Sequence, residues 1–154
     1  MSLQTGNPLP DLDVLLTGNR RVNLRSFQGA PLVIYFYPKD ATPGCTTEAR
    51  EFRDLMPEYE ALGCRILGVS RDNLNSHERF RANECLPFDL VSDGDESLCA
   101  AFDVIRMKNM YGKQVLGVER STFLFDANGV LREEWRKVKA PGHAAVVLEA
   151  LKAL

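Results

Sequence analysis

Six consecutive apolar residues, Leu32-Val33-Ile34-Tyr35-Phe36-Tyr37, run into Pro38. A stretch this short, β-branched and aromatic predicts a strand covered on both faces in the middle of a sheet. Lys39-Asp40-Ala41 breaks it, and Thr42-Pro43-Gly44-Cys45 reads as a helix start. Thr42 is suited to cap that helix through its side-chain oxygen. Pro43 then falls at the first helical position, where its missing N–H costs nothing. Cys45 becomes the third helical residue, facing free N–H groups and the positive end of the helix dipole. That placement favours a thiolate over a thiol and marks the stretch as a reactive centre.

The rest of the chain arranges itself around this strand and helix. Leu12 to Leu16 and Arg21 to Leu24 flank Thr17-Gly18-Asn19-Arg20, which predicts an N-terminal β-hairpin. Phe52, Leu55, Met56, Tyr59 and Leu62 recur at spacings of three and four, so one helix is expected from about Pro43 to Leu62, kinked by Pro57. Strands are predicted at 65–70, 88–91, 115–118, 120–125 and 130–135, the last two joined by the turn Asp126-Ala127-Asn128-Gly129. Helices are predicted at about 73–84, 96–102 and 142–154, with Val146, Val147, Leu148 and Leu151 burying in the last. Met107 to Lys113 reads as irregular. Alternating strands and helices imply parallel crossovers, and the hairpins add antiparallel strands. The expectation is an α/β protein, with a central mixed sheet flanked by helices on both faces, in a single domain spanning 1–154.

Composition removes several classes of function. A net charge of −2 gives no electrostatic case for nucleic acid or an anionic membrane. The longest apolar run is far too short to span a bilayer. Met1-Ser2-Leu3-Gln4-Thr5 lacks the basic and apolar regions of a signal peptide, so a cytoplasmic product is expected. The four cysteines, Cys45, Cys64, Cys85 and Cys99, form no Cys-x-x-Cys pair and lie far in sequence from His77 and His143, which argues against structural zinc. No glycine-rich phosphate loop is present. No metal, haem, flavin or nucleotide cofactor is expected.

The pattern Pro38-x-x-x-Thr42-x-x-Cys45, between a buried strand and a helix N-terminus, resembles the peroxiredoxin active-site signature. Tyr35-Phe36-Tyr37-Pro38-Lys39-Asp40, Thr42-Pro43-Gly44-Cys45-Thr46, Ile66-Leu67-Gly68-Val69-Ser70, Val91-Ser92-Asp93 and Met110-Tyr111-Gly112-Lys113 are similar to words of the bacterioferritin comigratory protein, or peroxiredoxin Q, subfamily. The likeness runs from about Gly6 to the C-terminus. It implies a thioredoxin-like fold with peroxiredoxin insertions and a thiol-dependent peroxidase acting on hydrogen peroxide and organic hydroperoxides. It also implies a thioredoxin-like reductant as partner and a monomer.

The resemblance assigns roles residue by residue. Cys45 is the peroxidatic cysteine, and its thiolate attacks one oxygen of the peroxide. Thr42 and the backbone N–H groups of Gly44 and Cys45 supply hydrogen bonds as the O–O bond breaks. Pro38 shields the thiolate. Arg120, at the head of Arg120-Ser121-Thr122-Phe123-Leu124-Phe125, cannot deprotonate and holds the thiolate. The alternative for Arg120 is a surface salt bridge with Glu119, and for Cys45 an inert buried thiol. Glu48 either orients Arg120 or is a solvated helix residue. Met107, Met110 and Tyr111 form either a flexible wall of the peroxide pocket or a loop pinned to the core.

Sulfenic acid on Cys45 needs a resolving thiol. Many members of the family carry it five residues later, where this chain has Arg50. Others carry it on the second helix, at the position of Arg81, and this chain offers Cys85 one turn further on. Four residues shift a side chain by about 6 Å along a helix. A disulfide needs Cα atoms within roughly 7 Å, so a Cys45–Cys85 bond demands local unwinding. Cys85 is the favoured resolver by this resemblance. Cys99 reads as a packed thiol and Cys64 as partly exposed. The rival readings are a one-cysteine peroxidase resolved by an external thiol, and a non-enzymatic redox-sensing or holdase module.

Overall fold

The computed structural model describes residues 3–154. Strands β1 (Asp13–Leu16) and β2 (Arg20–Asn23) form the N-terminal hairpin, followed by a 3-10 turn at Leu24–Phe27. Then come β3 (Leu32–Phe36), α1 (Pro43–Asp54), α2 (Met56–Ala61), β4 (Arg65–Ser70), α3 (Leu74–Asn83), β5 (Asp89–Ser92) and α4 (Ser97–Ala101). A second hairpin, β6 (Ile105–Met110) and β7 (Lys113–Val118), precedes β8 (Ser121–Phe125), β9 (Leu131–Trp135) and α5 (His143–Lys152).

Seven strands make one mixed sheet in the order β2-β1-β5-β4-β3-β8-β9. Strand β3 lies inside it, parallel to β4 and antiparallel to β8, and all five of its residues are buried. This is the both-faces-covered strand that the apolar run predicts. Its alternation divides the core in two. Val33 and Tyr35 face a cluster that holds Cys45, Phe52, Tyr59, Phe80 and Val147, from α1, α2, α3 and α5. Leu32, Ile34 and Phe36 face Leu98 and Phe102 on the opposite side, at α4 and its end. Strand β3 therefore ends with the reactive loop at the sheet's carboxyl edge, the usual place for a site in a sheet of this kind.

Four local expectations need correction. The long helix is broken rather than kinked: Leu55 separates α1 from α2, and Pro57 is the second residue of α2. Proline has no N–H to give the carbonyl four residues earlier, so the ladder cannot run through. Residues 107–113 are not irregular. They form the middle of the β6–β7 hairpin, whose turn residues Tyr111 and Gly112 both have positive φ. Tyr111 in that conformation is a weak turn signal compared with Asn-Gly. Val146 is half-exposed, because it sits a third of a turn off the face that buries Ala144, Val147, Leu148 and Leu151. Leu62, just past α2, is also exposed. Among the described residues, no helix is long and apolar enough to cross a membrane.

Candidate active site

Three stretches meet beside Cys45: the loop after β3, the first turns of α1, and the lead into β8. The loop is fastened from below. Asp40 is buried and accepts from the Tyr37 hydroxyl at 2.6 Å and the Ser76 hydroxyl at 2.8 Å. His77 Nδ1 lies 2.6 Å from Asp40, and His77 Nε2 donates to the Val91 carbonyl at 2.8 Å. The Asp40 N–H donates to Asp72 at 2.9 Å. Asp40, Asp72 and His77 offer ligand atoms within 4.8 Å of one another, but these atoms are engaged in the hydrogen bonds just described or in the Ser70–Asp72 bond at 2.5 Å. The arrangement is a clamp holding the loop to the start of α3. The sequence reading missed it, although Lys39-Asp40 and Ser76-His77 stand in the quoted words.

Cys45 is the third residue of α1, as expected, and is buried. Thr42 does not cap the helix with its side chain. Its hydroxyl donates instead to the Lys39 carbonyl at 2.8 Å, and its own carbonyl accepts from Thr46 N–H at 2.8 Å. With that hydrogen committed backwards, the lone pairs of Thr42 Oγ1 stay available as acceptors. Pro38 is half-buried at the loop's other end.

Arg120 joins the parts. Its Nη2 lies 3.4 Å from Cys45 Sγ, and its Nη1 donates to Glu48 Oε1 at 2.7 Å. Both alternatives for these residues fall away: Arg120 pairs with Glu48 rather than Glu119, and Glu48 is fully buried rather than solvated. Gly44 has a steric reason as well, since a Cβ there would lie 3.1 Å from Arg120 Nη2. Burial pushes the Glu48 carboxyl up to about 7, although the guanidinium pulls it the other way. The second oxygen of Glu48 and the Tyr35 hydroxyl are the two buried side-chain oxygens without a hydrogen-bond partner among the described residues. Burial, with the nearby charges of Glu48 and Cys45, holds the Tyr35 hydroxyl firmly protonated. The buried thiol thus has a cation at 3.4 Å, with a buried acid on the cation's other amino group, and charge developing there is poorly screened by water.

The other thiols differ. Cys64 is buried, not partly exposed, and burial pushes it up to about 12. Cys99 is packed as expected, and burial with Asp93 raises it further. Both are inert at neutral pH. Cys85 is exposed and lies just past the end of α3, not on it. Its φ is +53°, with Cys85 N–H donating to Ala82 and Leu86 N–H to Arg81, the Schellman pattern in which glycine is usual. Beside it, Glu84 takes Arg50 at 2.6 Å through its carboxylate and Arg53 at 2.9 Å through its carbonyl, both from α1. Met107, Met110 and Tyr111 are not pinned to the core. They stand exposed on the β6–β7 hairpin, with Tyr111 fully exposed at its turn.

Comparison with known proteins agrees with this geometry. The AhpC/TSA family profile matches residues 5–134. A peroxiredoxin Bcp from Xanthomonas campestris is 59% identical over 143 residues, covering 93% of this chain and 89% of the relative. One from Bacillus subtilis is 45% identical over 152 residues, covering 99% and 97%. Among solved structures, the Xanthomonas campestris bacterioferritin comigratory protein, studied for alkyl peroxide reduction, superposes with a TM-score of 0.91 at 56% identity, covering 97% of this chain and 98% of that one. A cysteine-to-serine variant of Xylella fastidiosa PrxQ gives a TM-score of 0.94 at 45% identity, covering 99% and 98%. The chain belongs to the AhpC/TSA family, within its Bcp/PrxQ peroxiredoxins, and is a thiol peroxidase with the thioredoxin-like fold of that group.

Proposed function

We propose that Cys45 is the peroxidatic cysteine and that Cys85 resolves it. The observation that carries this reading is the Arg120 guanidinium, which touches the Cys45 sulfur with one amino group and Glu48 with the other. The Cys45 thiolate attacks the OH-bearing oxygen of R–O–O–H. An S–O bond forms as the O–O bond breaks, two electrons pass from sulfur to peroxide, and RO⁻ leaves and takes a proton. Thr42 Oγ1 accepts from the peroxide O–H. Arg120 and the N–H groups of Gly44 and Cys45 stabilise the charge that spreads over both oxygens. Pro38 keeps water from the sulfur. Hydrogen peroxide fits this site alone, and an organic hydroperoxide extends its chain toward Met110 and Tyr111. The alkyl peroxide reduction described for the Xanthomonas campestris protein supports the organic substrates.

In the second step the Cys85 thiolate attacks the sulfenic sulfur. The S–S bond forms and hydroxide leaves, to be protonated to water. Exposure of Cys85 and its place past the end of a helix suit it to move. A thioredoxin-like dithiol then reduces the disulfide. The chain works in a reducing cytoplasm as a monomer and a single domain.

Mass mapping after one equivalent of peroxide tests the scheme. The expected product is a Cys45–Cys85 disulfide. Sulfenic or sulfinic acid on Cys45 with Cys85 free would remove Cys85 from the cycle and leave a one-cysteine peroxidase. A Cys45→Ser variant that still consumes peroxide would overturn the assignment of Cys45.

A further inference from the structure

Lys108 lies on β6, opposite Val115, on the hairpin that the sequence leaves irregular. It is half-buried, whereas its neighbours Met107 and Asn109 are exposed. Its side chain crosses the paired strand at Gly117, where a Cβ would stand 3.2 Å from Lys108 Cδ and 3.4 Å from Cε. Only glycine leaves that path open without displacement. Beyond it, Lys108 Nζ donates to the carbonyl of Val118, two residues before Arg120. The ammonium is thereby anchored on the stretch that leads, two residues on, to Arg120, whose guanidinium reaches Cys45 Sγ at 3.4 Å.

We propose that Lys108 is a positioning residue for the peroxidase reaction: seated through the Gly117 slot on the Val118 carbonyl, its ammonium adds a second positive charge beside Cys45. The inference rests on Cys45 being the peroxidatic residue. It goes beyond the signature residues, since Lys108 comes from a separate hairpin that carries it to the sulfur's surroundings. Burial and the Arg120 charge hold the lysine pKa below its ordinary value, the cost of gathering two cations in one place. The other charges that act on it are Arg71 and Glu119. A thiolate has more to gain from such a pair than a neutral thiol, so the cations bias the sulfur toward its reactive form.

The test reads the sulfur directly. Thiolate absorbance near 240 nm is titrated in the full-length protein, with the Cys45→Ser titration subtracted so that the Cys45 signal alone remains. Lys108→Met should move the midpoint up by about half a pH unit, the size expected for one partly screened charge. Lys108→Arg should restore most of the shift. Gly117→Ala, which keeps the lysine but crowds its path, should move the midpoint the same way by less. The proposal fails if Lys108→Met and Gly117→Ala both leave the midpoint where the parent has it, or if Lys108→Arg rescues nothing. Failure of the Cys45 assignment would show differently, as peroxide consumption surviving Cys45→Ser.

Discussion

Cys45 sits at the N-terminus of α1, buried, with a guanidinium at 3.4 Å and a carboxylate behind it. Cys85 sits past the C-terminus of α3, exposed, in a left-handed conformation, with a backbone carbonyl 3.8 Å from its sulfur. The first helix end leaves N–H groups without a partner inside the helix, whereas at the second the Arg81, Ala82 and Glu84 carbonyls are already taken. The surroundings divide the labour. Under the proposed function, charge and enclosure suit Cys45 to meet peroxide, while exposure and a left-handed helix stop suit Cys85 to travel. The C-terminal half of α1 is also tied to the Cys85 end of α3, since Arg50 and Arg53 both hold Glu84, next to Cys85.

The largest break in this contrast should come from Arg120→Met. Loss of one well-placed charged donor from a reacting centre costs roughly a hundredfold to a thousandfold in rate. Stopped-flow reaction with peroxide should show that loss, while alkylation of Cys85 keeps its parental rate. A variant reacting within a few-fold of the parent would remove Arg120 from the chemistry.

A middle-sized effect concerns stability against pH. Glu48, pushed up to about 7 by burial, keeps a proton in the native state at a pH where the unfolded chain has lost it. Its contribution therefore declines as pH rises from about 4.5 to 7. His143 does the opposite. Burial and Arg120 lower it to about 4, so stability rises with pH from about 4 to 6.5. The two slopes oppose each other in the parent. Glu48→Gln should leave the His143 rise alone, so its urea midpoint should climb more between pH 5 and pH 7 than the parent's does. Equal pH profiles would show that Glu48 does not titrate in this range.

The smallest effect sharpens the Cys85 side. A residue with a β-carbon at φ +53° carries strain that glycine does not. Cys85→Gly should be more stable than Cys85→Ala by about 1 kcal/mol in urea unfolding. No such gain is expected for glycine at Cys45, which lies in right-handed helix. Equal stabilities of the two Cys85 variants would show that its cap stores no strain.

Much of this was legible from local pattern. The apolar run gave β3, the Thr42-Pro43 pair marked the start of α1 to the residue, and Asn128-Gly129 marked the β8–β9 turn. The peroxiredoxin words named Cys45, Thr42 and Arg120 before any geometry did. What stayed hidden depends on long-range contact. Whether Glu48 faces solvent or Arg120 is decided by a residue 72 positions away. Asp40 and His77 meet across 37 positions, and single charged residues look alike in sequence whether buried or not. The β6–β7 hairpin was missed because its turn rests on Tyr111 in a conformation that tyrosine seldom takes.

In the proposed cycle, the break between α1 and α2 sets the reach of the motion that a Cys45–Cys85 bond would require. The Tyr59 hydroxyl fastens α2 to α5 through the Ala144 carbonyl at 2.7 Å, so α2 is locked into the core. A continuous helix would transmit unravelling along its whole length, whereas the interruption at Leu55 acts as a firebreak. Opening would then consume at most the twelve residues of α1, where Phe52 and Ala49 are packed in the core. In amide hydrogen exchange the N–H groups of α1 would form one fast-opening unit and those of α2 would exchange with the sheet.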